Sequence, residues 1–360
     1  MEKKVLIVDD NPNNRQSLKS EIEKMLGYAC YGAVNGMVAM NIVRKYKFQV
    51  ILLDSEMPVL DGFGFLKAYR EARGFDTGAN IIMVTPRHDR ESVEKAMRYG
   101  VCDFLVEPFP KADMVEKVSR WINAEVESSW SDLDPEQEQI LRFTMQTLNR
   151  AKSRAGGVGA GDDYSDFVGV GKLIVDAAGD SSTHKLLDAM KEHDDYTFVH
   201  SLRTGIYLSL FALSSGFTRD EAETMTLGGV FHDIGKARIP LEVLNKGGGF
   251  EPDEWLVMKE HVKHSVDVLA SSKNIAKSVI DIAWCHHERL DGTGYPRGLK
   301  GSEIGTLPRM ASIVDAYVAL TDRRVYKRSF SQEMSFRMLE AEPDHFDQEL
   351  VAEFKRAVCG

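Results

Sequence analysis

With 360 residues, 43% of them hydrophobic, the chain is longer than one hydrophobic core usually serves, so two soluble globular domains are the first expectation. A formal net charge of −10 sets most of the surface against nucleic-acid phosphates, and the one Lys/Arg cluster, Asp322-Arg-Arg-Val-Tyr-Lys-Arg328, does not read as a recognition helix. No uncharged apolar run reaches the roughly 18 residues of a membrane span, Met-Glu-Lys-Lys opens without a signal-peptide core, and Cys30, Cys102, Cys285 and Cys359 form no Cys-x-x-Cys pair. A cytoplasmic protein with reduced thiols, no membrane segment and no nucleic-acid partner is expected.

From Lys4 the chain reads Val-Leu-Ile-Val, then Asp9-Asp10, then a helical pattern to about Leu26. Apolar runs recur at Val50 to Leu53, Ile81 to Val84 and Phe104 to Val106, alternating with amphipathic segments at Gly64 to Arg73 and Arg90 to Tyr99. Strands so uniformly apolar are buried on both faces, which predicts a parallel sheet covered by helices, with ligands at the carboxyl ends of the strands. Asp9, Asp10, Asp54, Thr85 and Glu107 sit at those ends. Three clustered carboxylates suit a hard cation such as Mg²⁺, which neutralises charge as Asp54 takes up a phosphoryl group.

Residues 1–123 resemble a response-regulator receiver domain through Asp9-Asp10, the phosphoacceptor Asp54, the Met57-Pro58-x-x-Asp61-Gly62 turn, the switch hydroxyl Thr85 and the switch aromatic Phe104. The resemblance implies a doubly wound five-stranded parallel sheet, Mg²⁺ held by Asp9, Asp10 and Asp54, and an upstream histidine kinase. One position departs from it: Glu107 stands where a lysine is expected just before Pro108. A like charge beside a phosphoaspartate implies weak phosphorylation, unless Glu107 serves as a further Mg²⁺ ligand.

Residues 124–195 read as a helical linker with a glycine-rich break at Gly156 to Gly161. Pro135 to Arg154 carries Ile140, Leu141, Met145 and Leu148 at helical spacing, without sustained heptads. Such a stripe is either the seam of a homodimer or the buried face of a helix packed on its own domain.

From Thr197 onward the apolar spacing is helical, with helices expected at Val199 to Leu213, Glu221 to Ile234, Asp253 to Leu269, Asn274 to His287, Leu307 to Leu320 and Ser331 to Glu340. An all-α domain over residues 196–360 follows, with loops at Lys246 to Pro252 and Leu290 to Gly305. This half gathers His200, His232, Asp233, His261, His286, His287 and Asp315. A mixed His/Asp set suits divalent Fe, Mn, Ni or Zn and is unlike the thiolate-rich structural zinc sites. Seven ligands, with the two oxygens of Asp233 as a bridge, are enough for two ions.

The order His200-Ser, His232-Asp233-x-Gly-Lys236, His261, His286-His287-Glu288, Asp291-Gly-Thr-Gly-Tyr295-Pro296 and Asp315-x-x-x-Ala-Leu-Thr resembles the HD-GYP subgroup of HD-domain phosphohydrolases. The resemblance implies hydrolysis of cyclic di-GMP, with His200, His232, Asp233 and Asp315 around one ion and Asp233, His261, His286 and His287 around the other. A cyclic GMP-AMP phosphodiesterase and a weakly active nucleotide-binding scaffold are the rival readings. Lys236, one turn beyond His232, can reach a phosphate or protonate the leaving oxygen. Tyr295 offers a ring to a guanine base, and Arg324 and Lys327 offer cations to the substrate phosphates. Val318, Ser265 and Val325 depart from the residues common at those positions. Relatives with a third ion carry a Glu four residues before the first histidine; Tyr196 stands there, so two ions per chain are expected.

Overall fold

A computed structural model of the chain describes residues 3–73, 78–86, 90–155, 165–178, 182–191, 193, 195–244, 246, 248–271, 274–322 and 329–359. The chain divides into two compact units, the first ending at Glu125 and the second beginning at Val126. Among the described residues, no helix is long and apolar enough to cross a membrane.

The first unit runs β1 (Lys4–Val8), α1 (Pro12–Leu26), β2 (Ala29–Ala33), α2 (Gly36–Val43), β3 (Val50–Asp54), α3 (Gly62–Arg73), β4 (Asn80–Thr85), α4 (Arg90–Arg98), β5 (Val101–Val106) and α5 (Lys111–Ser129). All pairings are parallel, in the order β2-β1-β3-β4-β5. Val5 to Val8 and Val50 to Leu53 are all but fully buried, as strands covered on both faces must be. The register that pairs Val8 with Leu53 brings the carboxyl ends of β1 and β3 level, so Asp9 and Asp54 emerge side by side. Pro12 opens α1 where no N–H is required, Asn11 accepts from Asn13 N, and Gly27 closes the helix in the left-handed conformation (φ 67°).

The second unit is helical: α6 (Pro135–Ala155), α7 (Ser165–Ala177), α8 (Ser182–Ala189), α9 (Tyr196–Ser214), α10 (Arg219–Phe231), α11 (Leu241–Leu244), α12 (Pro252–Ala270), α13 (Lys277–Cys285), α14 (Thr306–Thr321), α15 (Gln332–Glu340) and α16 (Gln348–Cys359). The stripe Ile140, Leu141 and Leu148 of α6 is buried in the same core cluster as Phe198, Leu202 and Val230, so these side chains pack on their own unit. The glycine-rich stretch 156–161 lies outside the described residues.

α9 is apolar on nearly every side and runs through the core, with Phe198, Leu202, Ile206, Leu208 and Phe211 all buried. Its partner α10 starts at a capping box, Thr218 with Glu221, which satisfies two backbone N–H groups of the first turn. The two helices meet where Gly205 faces Gly229 and Val230: a Cβ on Gly205 would lie 2.5 Å from Val230 Cγ2, and one on Gly229 3.0 Å from Gly205 Cα. That close approach brings His200, on α9, beside His232, at the end of α10.

Candidate metal centre

Five helices converge on one point in the second unit. α9 supplies His200, and α10 ends in His232, with Asp233 opening the tight 3₁₀ turn Ile234–Arg238. α12 supplies His261, α13 ends in His286 followed by His287, and α14 supplies Asp315. His200, His232, Asp233, His261 and His286 are each no more than 2% exposed. Their potential ligand atoms fall into two groups, each mutually within 4.8 Å: His200, His232 and Asp315 in one, and Asp233, His261, His286 and His287 in the other.

Asp233 faces both groups. Its Oδ1 lies 3.1 Å from His261 Nε2 and 3.8 Å from His286 Nε2, while its Oδ2 lies 3.1 Å from His232 Nε2 and 3.7 Å from His200 Nε2. Asp315 Oδ1 approaches His200 Nε2 at 2.9 Å and His232 Nε2 at 3.6 Å.

The histidines are oriented from behind by the backbone of their own helices. Nδ1 of His232, His261 and His286 lies 2.7, 2.6 and 2.9 Å from the carbonyl oxygens of Gly229, Met258 and Ala283, each three residues earlier. A carbonyl only accepts, so Nδ1 carries the proton and Nε2 turns a lone pair inward. The three Nε2 atoms and Asp233 Oδ1 are buried without a hydrogen-bond partner. Lone pairs of imidazole and carboxylate facing each other at about 3 Å require positive charge between them, from a proton or a metal cation. Divalent cations fit this donor set.

Burial opposes protonation of His232, but the charges of Asp233 and Asp315 beside it outweigh it and push its pKa up to about 10. His200 is also raised: burial works against it, and hydrogen bonds to Asp315 and Asp322 prevail. Burial opposes ionisation of Asp233 as well, yet His232 and Lys236 hold its carboxyl well below the usual range. His286 is pushed well below its ordinary value, first by burial and then by the neighbouring charges of His287 and His232.

The Lys236 ammonium donates to Asp233 Oδ2, and its side chain stays one-fifth exposed, so it faces the open side of the cluster. Tyr295 comes from the loop after α13, which Glu288 holds in place. That carboxylate is 2% exposed and accepts from Arg297 N at 2.7 Å and Leu299 N at 2.9 Å. Tyr295 N in turn donates to His287 O, and the two rings stack at 4.7 Å. Arg324 and Lys327 lie outside the described residues, as does Val325. Val318 is fully buried, and Ser265 Oγ accepts from Gly235 N at 2.8 Å, pinning the 3₁₀ turn to α12. Tyr196 stacks on His200 with its hydroxyl 3.4 Å from Nδ1, on the opposite ring edge from Asp315 and Asp233.

Two residues escaped sequence reasoning. Asp322, 3% exposed, lies 3.3 Å from His200 Nδ1 and also takes the Arg203 guanidinium. In the sequence Asp322 only heads a basic segment. Arg203 carried a visible signal, a charge on the apolar helix α9 three residues after His200, the spacing of side chains on one helix face.

In the first unit Asp9, Asp10 and Asp54 also group within 4.8 Å at the strand ends. Burial pushes Asp54 up to about 6; the charges of Asp9, Glu107 and Asp10 add to it, and a hydrogen bond from Glu56 N opposes it. Thr85 is buried at the end of β4, next to Val106 of β5 in the register, and Phe104 is partly buried against the core. Glu107 is exposed, its N–H donating to Thr85 O.

The two halves match two family models: "Response regulator receiver domain" over residues 5–119 and "HD domain" over residues 188–350. The chain joins a receiver domain to an HD domain. It is 27% identical to a "Probable cyclic di-GMP phosphodiesterase" of Vibrio cholerae serotype O1, over 97% of this chain and 76% of that one. It is 26% identical to the "Cyclic di-GMP phosphodiesterase response regulator RpfG" of Xanthomonas campestris pv. campestris, over 94% and 83%. The "3'3'-cGAMP-specific phosphodiesterase 2" of Vibrio cholerae serotype O1 is 33% identical over 50% of this chain and 35% of its own. The HD-domain match spans His200 to Asp315, all seven of the clustered histidines and aspartates.

Proposed function

We propose that the HD domain hydrolyses a phosphodiester bond of cyclic di-GMP at two divalent transition-metal cations, Fe, Mn, Ni or Zn, and that the receiver domain regulates it. The observation that carries this reading is the double-facing Asp233 carboxylate, one oxygen directed at His261 and His286, the other at His232 and His200. His200, His232, Asp315 and Asp233 would hold one cation, and Asp233, His261, His286 and His287 the other. The chemistry that two bound cations supply is Lewis acidity toward water and the phosphodiester.

The chain's own residues supply the rest. Backbone carbonyls fix the inward lone pairs of three imidazoles. Lys236 Nζ, hydrogen-bonded to Asp233 and reaching the open side, carries a proton that it can deliver to the leaving ribose oxygen. Tyr295, stacked on His287 at the edge of the cluster, offers aromatic surface to a purine base. In the receiver domain, Asp9, Asp10 and Asp54 would hold Mg²⁺ while Asp54 accepts a phosphoryl group from an upstream histidine kinase.

The named activities of the two full-length relatives support cyclic di-GMP as the substrate. A relative named for 3'3'-cGAMP supports a second reading, in which one base is adenine. The test is incubation of metal-reconstituted protein with each dinucleotide, followed by chromatography of the products. Linear dinucleotide or GMP from cyclic di-GMP is expected. Both dinucleotides recovered intact would overturn the proposal.

A further inference from the structure

α12 carries more than His261 toward this site. Two turns before it, Trp255 is 39% exposed. Trp255 meets Tyr295 edge to face, with centroids 5.8 Å apart and planes at 79°, and Phe250 stacks behind it at 5.8 Å. The aromatic surface therefore runs from Phe250 through Trp255 and Tyr295 to His287, from solvent to the edge of the metal cluster.

Lys259, one turn after Trp255, places its ammonium 5.5 Å from the Trp255 centroid and 5.3 Å from that of Tyr295. Among the described residues it has no hydrogen bond or ion pair, so π faces alone hold the charge. An ammonium in that condition is free to donate to a ligand that brings acceptors.

We propose that Trp255, Tyr295 and Lys259 form a base-recognition corner in which a purine of the substrate stacks on an aromatic face and Lys259 selects guanine over adenine. The selection follows from donor and acceptor counts. An ammonium has three donors and no acceptor, guanine presents O6 and N7 as adjacent acceptors, and adenine replaces O6 with an amino donor. The inference rests on the proposed dinucleotide substrate and adds what decides between the two dinucleotides.

The test compares full-length, metal-reconstituted wild type with Trp255→Leu, Lys259→Met and Lys259→Arg. Each is assayed on cyclic di-GMP, 3'3'-cGAMP and bis(p-nitrophenyl) phosphate, which has no base, and titrated with GMP while tryptophan fluorescence is read. Trp255→Leu and Lys259→Met should lower kcat/KM for cyclic di-GMP about tenfold relative to bis(p-nitrophenyl) phosphate, mostly through KM. Lys259→Met should also narrow the preference for cyclic di-GMP over 3'3'-cGAMP, and Lys259→Arg should restore it. GMP should quench wild-type fluorescence and leave that of Trp255→Leu largely unchanged.

If wild type cleaves cyclic di-GMP and both variants keep its substrate ratios, the corner is overturned while the proposed function stands. Equal losses on all three substrates with loss of metal would give these residues a structural role and overturn the corner as well. A wild type that cleaves bis(p-nitrophenyl) phosphate but neither dinucleotide overturns the proposed function, and the corner with it.

Discussion

Asp322 offers a way to weaken the metal centre without touching a ligand. The carboxylate is 3% exposed, accepts from the Arg203 guanidinium and lies 3.3 Å from His200 Nδ1, while Arg203 Nη2 donates to Thr321 Oγ1 at 3.1 Å. Asp322→Ala leaves Arg203, whose side chain is 17% exposed, without its counter-ion, and leaves His200 Nδ1 with only the Tyr196 hydroxyl, at 3.4 Å, to orient it. Breaking a buried pair from one side costs about 3–5 kcal/mol, and the remaining Thr321 bond and partial exposure put this case near the lower end. Losing the partner that orients a ligating imidazole costs about 10–100-fold in metal affinity. The two effects separate in the double variant Asp322→Leu with Arg203→Leu, which removes both charges. It should recover much of the stability and none of the affinity. Competition against a chromophoric chelator reads the affinity, and thermal denaturation reads the stability. A twofold or smaller change in affinity for Asp322→Ala, whatever happens to Tm, would refute the claim that Asp322 orients His200.

Three other perturbations reach separate parts of the account. Gly235→Ala would put a Cβ 2.1 Å from His261 O and 2.3 Å from Ser265 N, so α12 must retreat; a loss of about 1–3 kcal/mol in the HD-domain unfolding transition is expected, with weaker metal binding. An unchanged transition by calorimetry would contradict that contact. Glu288→Ala strips the acceptor from the part-buried Arg297 N and Leu299 N, and should raise KM for cyclic di-GMP by releasing the Tyr295 loop; steady-state kinetics with an unaltered KM would argue against it. Glu107→Lys replaces one of the negative charges that raise the Asp54 pKa, and should lengthen the life of acetyl-phosphate labelling at Asp54 by intact mass; identical labelling in wild type would refute the role given to Glu107.

Legibility in the sequence followed the strength of local signals. β1, β3 and β4 announce themselves as unbroken apolar runs because both faces are covered, whereas β2, Ala-Cys-Tyr-Gly-Ala, is an edge strand with no such run. α10 begins two residues before its expected start, and Thr218-x-x-Glu221 was the visible reason. α13 begins at Lys277 rather than Asn274. α7, α8 and α16 bear no ligand and passed unmarked. The seven clustered histidines and aspartates were legible because ligand types recur in a fixed order, and they do gather in space. Asp322 was not, because a residue that steadies a ligand from behind has no motif; the charge of Arg203 on an apolar helix was visible, but its partner is identified only once α9 and the end of α14 are seen together. Lys259 belongs with them, since its meaning depends on the rings on either side.

If the two oxygens of Asp233 serve two cations, metal analysis of Asp233→Ala against wild type will show it. Both proteins are reconstituted with the same divalent metal, desalted, and counted for metal per chain, with far-ultraviolet circular dichroism to verify the helices. Two ions per wild-type chain are expected, and loss of both, with the activity, from a variant that keeps its helical content. Wild-type metal content and turnover in Asp233→Ala would contradict it, as would three well-occupied ions per wild-type chain.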